Sequence, residues 1–238
     1  MVQRKSQPPQ QAKPSAQARA AKPSVLLTGF DAFGGESINP SWLAVQALKG
    51  RQIAGHRVVV AQLPTVFDAS IAALREALLS HNPQLVICVG QAGGRSALSI
   101  ERVAININDA RIADNRQAQP IDTPVVAEGP AAYFSSLPIK AMVRDLLQAG
   151  IAAEVSQTAG TFVCNHVFYG LMHFLATQRG LKKSPFKTTR GGFVHVPFAT
   201  GQGNPSMALP DMARGLHIAV RCALANQQDV SISAGAIH

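Results

Sequence analysis

Cysteine, tryptophan and tyrosine are rare in this chain: three, one and two among 238 residues. An odd, sparse cysteine set excludes a disulfide scaffold and points to a reducing compartment, the cytoplasm. Aromatics make up only 5% of the chain, too few to accompany its bases as a stacking platform for single-stranded nucleic acid. No apolar run approaches the roughly 20 residues that cross a bilayer, so no membrane span is expected. What is abundant is apolar matter, 47% of residues, enough for one large core. Collagen-like and wholly disordered readings are thereby excluded.

Acids are also scarce, 13 against 22 Lys and Arg, for a formal charge of +9. The excess is local. Residues 1–24 carry Arg4, Lys5, Lys13, Arg19 and Lys22 and no acid, and a second acid-free run holds Arg179, Lys182, Lys183, Lys187 and Arg190. Without those ten bases, 12 remain against the 13 acids, so the body is nearly neutral and carries no basic face. Nucleic acid is therefore not an expected partner. The tail 1–24, rich in Gln, Pro, Ala and Ser, cannot bury enough surface to offset its ordering entropy and reads as disordered. It has no apolar stretch of the kind that makes a secretory signal.

From Val25 onward strands and helices alternate. The short apolar runs 25–30, 57–63, 85–90 and 193–198 read as buried strands; 41–49, 67–81, 138–149, 161–178 and 206–226 read as helices. Strands this apolar, separated by helices, predict a three-layer α/β/α sandwich. Its twisted, mostly parallel sheet is covered on both faces, in one domain over 25–238. Ligands in such a sheet bind outside the carboxyl ends of the strands. Two glycine-rich stretches, Gly29–Gly35 and Gly90–Arg95, follow strands there.

Cys88 lies inside a strand run and Cys222 in a helix, both as inert core residues. Cys164 follows Thr158-Ala159-Gly160-Thr161-Phe162-Val163, a loop feeding a helix with Thr161 as its N-cap. That puts its sulfur in the first helical turn, where unpaired N–H groups favour a thiolate. Position alone leaves it open as a nucleophile or a packed small hydrophobe. Geometry prunes the histidines that could serve it. His166, two residues on, points to a different side, and His173 lies about 13 Å along the axis. His166 and His173, one heptad apart, are about 10 Å apart in rise, too far to share a metal. His56 and His81 sit at the amino edge of the sheet, His217 in the last helix and His238 at the terminus. His195, near the carboxyl end of its strand, remains as base or as core histidine. In LSIERVAININD the alternation puts Glu101 on one face with Val103, Ile105 and Ile107, where a carboxylate needs a partner. His195 or an arginine would serve, for catalysis or as a structural ion pair. No HExxH, CxxC or acidic cluster supports a metal, and Gly90–Arg95 offers only a weak phosphate nest without the lysine of a P-loop.

Four stretches together resemble the signature blocks of the pyroglutamyl peptidase I (pyrrolidone-carboxylate peptidase) family: TGFDAFGGESINPS, GQAGGRSALSIERVAININDARIADN, TAGTFVCNHVFYGLMH and GGFVHVPF. The likeness runs from Val25 onward in the family's order; the basic tail and the 179–190 loop depart from it. It implies a cysteine peptidase, independent of metal and of any cofactor, that removes N-terminal pyroglutamate from peptides. It further implies Cys164 as nucleophile, His195 as base, Glu101 as orienting acid and Arg111 beside the oxyanion. The pyroglutamyl ring would lie between Phe30, Phe33 and Phe162, with a backbone contact from Gln91. The family also implies a homo-oligomer, a tetramer. Two other readings compete: a nucleoside-phosphorylase-like enzyme using Gly90–Arg95, and a non-catalytic binder using the basic tail.

Overall fold

Ser24–Phe30 is buried along its whole length, and as strand β1 it takes a central place in the sheet of the computed structural model, which describes residues 23–235. The chain continues through α1 (Pro40–Gln46), β2 (Gln52–Ile53), β3 (His56–Leu63), α2 (Ala69–His81), β4 (Leu85–Gln91) and β5 (Leu98–Glu101). Then come β6 (Val103–Ile105), β7 (Ala132–Phe134), α3 (Ile139–Gln148), β8 (Ala153–Ser156) and α4 (Val163–Arg179). Last are β9 (Arg190–Val196), β10 (Phe198–Ala199), β11 (Ser206–Met207) and α5 (Leu209–Ala225).

Seven strands form the main sheet in the order β2-β3-β1-β4-β9-β5-β8. β3, β1, β4 and β9 run parallel, as do β5 and β8; β5 is antiparallel to β9, and β2 to β3. The mostly parallel sheet expected from the apolar runs is therefore present, with two reversals, β2 against β3 and β5 against β9. Alternation along the strands divides the core. Val25, Leu27, Ile87, Val89, Leu98, Ile100, Val194 and Val196 pack with α1, α3 and α5. Leu26, Val86, Cys88 and Phe193 pack with α2 and α4. Each face is closed by helices because both sets of alternate side chains are apolar. Local chemistry sets the connections: Asn39 caps α1, its Oδ1 accepting from the Ser41 N–H at 3.1 Å, and Pro40 opens the helix.

Three expectations need correction. The stretch LSIERVAININD is two strands in two sheets, β5 in the main sheet and β6 paired with β7. The break falls at Arg102, whose N–H donates to Ser156 O and whose carbonyl accepts from Ser135 N–H. Glu101 therefore shares its face with Ser99, since Leu98 and Ile100 point into the opposite core. The helix expected over 206–226 begins at Leu209, because Ser206 and Met207 pair with β10. Pro23 and Ser24, placed in the tail by the sequence, belong to the ordered body: Ser24 is the first residue of β1 and Pro23 O accepts from the Arg57 N–H at 2.9 Å. Residues 1–22 of the predicted disordered tail lie outside the described residues, as does His238. No helix among the described residues is long and apolar enough to cross a membrane.

Candidate active site

The site stands where β4, β9 and β5 run side by side beneath the start of α4. Gly90 on β4 is the register partner of His195 on β9, which is that of Ser99 on β5. Cys88 and Phe193, two residues earlier on β4 and β9, belong to the α2–α4 core, so Gly90 and His195 face α4 as well. A β-carbon on Gly90 would lie 2.7 Å from the Cys164 Sγ. The sulfur thus occupies the space that glycine vacates, over the strand next to the one that carries His195. His195, 3% exposed, bonds through Nδ1 to Glu101 Oε1 at 2.7 Å, and Glu101 is fully buried. Because a carboxylate accepts, Nδ1 carries the proton and Nε2 is left as the acceptor. The Arg95 guanidinium donates to the same Oε1 at 2.8 Å, so Glu101 has both partners that its burial demanded.

Cys164 is the second residue of α4. Thr161 is not its cap, as the sequence suggested: its Oγ1 donates to Asp109 O at 2.6 Å, and Phe162 takes the N-cap position without a side-chain cap bond. The first turn is therefore uncapped. The residues after the cysteine stitch the helix to the chain beyond β6. Asn165 bonds Ile105 and Ile107, His166 Nδ1 donates to Asn108 Oδ1, and Asp109 N–H donates to Thr161 O. Arg111 follows this seam; its side chain is exposed and makes no hydrogen bond or ion pair among the described residues.

The expected aromatic residues divide in two. Phe33 and Phe162 lie with ring centroids 6.2 Å apart. Phe30 is 2% exposed and packs 6.4 Å from Phe193, whose ring in turn lies 4.9 Å from His195. Gln91, at the end of β4, has its side chain taken by Gln202 at 3.1 Å. The sequence missed Phe67, which meets Phe162 edge to face at 5.4 Å. Asp114 and Asn115 were also missed: Asp114 Oδ2 accepts from the Phe67 N–H at 2.9 Å, and Asn115 Nδ2 donates to Ala32 O at 2.8 Å. Both lie in the ARIADN end of a block already noted, so their place in the sequence was the available signal. The phosphate nest fails, because the Phe198 ring fills the space beside Gly93 and Arg95 is turned onto Glu101.

A sequence profile of the pyroglutamyl peptidase family matches residues 23–226. The chain belongs to the pyroglutamyl peptidase family. It is 57% identical over 221 residues to the pyrrolidone-carboxylate peptidase of Cupriavidus taiwanensis, covering 91% of this chain and 100% of that one. Among solved structures, the pyroglutamyl peptidase I of Bacillus amyloliquefaciens superposes with a TM-score of 0.83 at 46% identity, covering 89% of this chain and all of that one. The pyrrolidone carboxyl peptidase of Pyrococcus furiosus superposes with a TM-score of 0.80 at 38% identity, covering 86% and 99%.

Within this pyroglutamyl peptidase frame, burial and a neighbouring charge oppose the pull of the helix N-terminus on Cys164. Burial pushes the Cys164 thiol up to about 12; the Glu101 charge pushes the same way, and Arg95 opposes them. Cys164 is itself only half-buried, unlike Cys88 and Cys222. Cys88 and Cys222 are also raised to about 12, mainly by burial, in keeping with core thiols. Among the described residues no three His, Cys, Asp or Glu side chains gather where a metal could sit.

Proposed function

We propose that Cys164, His195 and Glu101 form the triad with which this member of the pyroglutamyl peptidase family cleaves the amide bond after an N-terminal pyroglutamyl residue. The observation that carries the reading is the buried Nδ1–Oε1 bond at 2.7 Å, one strand away from a sulfur seated over Gly90. Glu101 fixes the tautomer that leaves His195 Nε2 as a base. His195 takes the Cys164 proton as sulfur attacks the pyroglutamyl carbonyl. The oxyanion forms at the uncapped start of α4, where backbone N–H groups are unspent, with Arg111 beside it. His195 then gives its proton to the departing amine. The same imidazole activates the water that releases pyroglutamate from the thioester.

The flat lactam suits the phenyl faces of Phe30, Phe33 and Phe162, with Gln91 backbone meeting its polar edge. An unblocked glutaminyl residue brings an ammonium that such a slot cannot solvate, at a cost of several kcal/mol. A homo-oligomer, in the form of a tetramer, and a cytoplasmic location complete the reading; the latter rests on the unpaired state of Cys88, Cys164 and Cys222.

A pyroglutamyl amide with a fluorogenic leaving group tests the assignment. Cys164→Ser should abolish turnover, whereas Cys88→Ser and Cys222→Ser should leave it largely intact. Near wild-type hydrolysis by Cys164→Ser would remove the nucleophile from the reading.

A further inference from the structure

The turn after β4 delivers a cation to the buried acid. Gly94, with φ +84°, reverses the chain, and Arg95 follows it. Nη1 donates to Glu101 Oε1 at 2.8 Å and to Ser156 Oγ at 3.3 Å, while Nη2 donates to Thr158 O at 3.1 Å. Ser156 ends β8, and Thr158 lies in the loop that leads to Cys164. Arg95 and His195 both address Oε1, and Oε2 has no hydrogen-bond partner among the described residues. Two donors saturate one oxygen, so the carboxylate cannot rotate without losing both bonds.

We propose that Arg95 is a positioning residue for the reaction, which holds the charge of Glu101 balanced so that His195 stays neutral and able to accept the Cys164 proton. The inference rests on the triad reading above. Its basis is the count of charges in a buried group. A carboxylate whose only partner were the imidazole would be satisfied best by an imidazolium, which is no base. With the guanidinium present, the carboxylate already has its counterion, and the imidazole need only orient. The two-pronged attachment adds geometry. One guanidinium ties the acid on β5 to the loop before α4, as a planar fork can and an ammonium cannot. The other titratable and charged groups facing this pair are Cys164 on α4, Cys88 on β4 and, through its bond from Ser99 Oγ at 2.9 Å, Glu154 on β8. None of these is a cation, so none can take Arg95's place.

The test is the pH dependence of kcat/KM for wild type, Arg95→Gln and Arg95→Lys, with thermal melts to establish folding. Arg95→Gln should move the acid limb to higher pH by about one unit, a tenfold loss on that limb, since an opposite charge has been taken from the acid. Arg95→Lys should leave the limb in place and lower kcat about tenfold at every pH, because it keeps charge and loses the fork. A limb unmoved in folded Arg95→Gln would overturn the proposal and leave Arg95 a purely structural tie. If Arg95→Gln does not fold, Arg95→Lys decides: a limb raised by about one unit despite the retained charge would equally overturn the proposal. The triad reading fails differently, through near wild-type turnover by Cys164→Ser.

Discussion

Two buried histidines near the start of α4 differ in what their ring nitrogens meet. His166 takes the Asp68 N–H at Nε2 and gives its Nδ1 proton to Asn108, so both nitrogens are spent on structure. His195 spends only Nδ1. The pair was separable in the sequence by helical spacing from Cys164, which excluded His166. Its actual role, holding the turn that carries Phe67 and Asp68, depends on partners 98 and 58 positions away, which no local pattern reveals. Arg95 was hidden for the same reason: its glycine-rich neighbours suggested a phosphate, and only the fold shows the acid it reaches. The cost of His166 burial is readable in stability. Burial lowers its pKa from 6.5 to about 4, against a small opposing pull from Asp68. Between those values the unfolded chain binds a proton that the native ring refuses, so stability is full above pH 6.5 and falls as pH drops toward 4. The loss amounts to about 3 kcal/mol across that window. Urea unfolding at several pH values should show this slope in wild type and a shallower one in His166→Asn. Equal slopes would remove His166 as its source.

Elements were legible where one periodicity ran unbroken. β1, β3, β4 and β9 and all five helices stood close to the predicted positions because their apolar residues repeat at a constant interval. The stretch across Glu101 misled because its alternation continues through Arg102 while the chain leaves one sheet for another. Strand pairing, not side-chain pattern, decides where a ladder ends. That pairing makes Gly90 a sharp test. Its register partner is His195, and its missing side chain is the seat of the Cys164 sulfur. In Gly90→Ala the new methyl would stand 2.7 Å from Sγ and 2.8 Å from Phe193 Cζ, closer than packed atoms approach. Either the helix end or the sulfur must shift, and a displacement near 1 Å at reacting atoms costs about 100-fold in rate. We expect kcat to fall by about that factor, with most of the fold retained in circular dichroism. An alanine variant with wild-type kcat would mean that sulfur and imidazole do not meet over this strand.

For the whole molecule, the sheet separates two cores with different duties. The α2–α4 side holds Cys164, His195 and the aromatic cluster; the α1–α3–α5 side holds only packing. The sheet's layering was written in the sequence, because strands apolar on both faces require helices on both. Which face would carry the chemistry was not, since that depends on the direction in which β9 presents His195. The separation makes a prediction. Leu216 on α5 is fully buried in the packing core, and truncation to alanine should cost about 2–5 kcal/mol by lost transfer energy and a residual cavity. Val167, also fully buried, lies one turn beyond Cys164 on α4 in the other core. Its truncation to alanine should cost stability too, but it loosens the turn that aims the sulfur. Denaturant midpoints and kcat, both measured well below the melting temperature, distinguish the two. Leu216→Ala should lower the midpoint and keep kcat within about twofold, because it packs in the core on the other face of the sheet from Cys164. Val167→Ala should lower both. If Leu216→Ala lost rate as steeply as stability, the sheet would not insulate the site, and the reactive geometry would depend on both cores together.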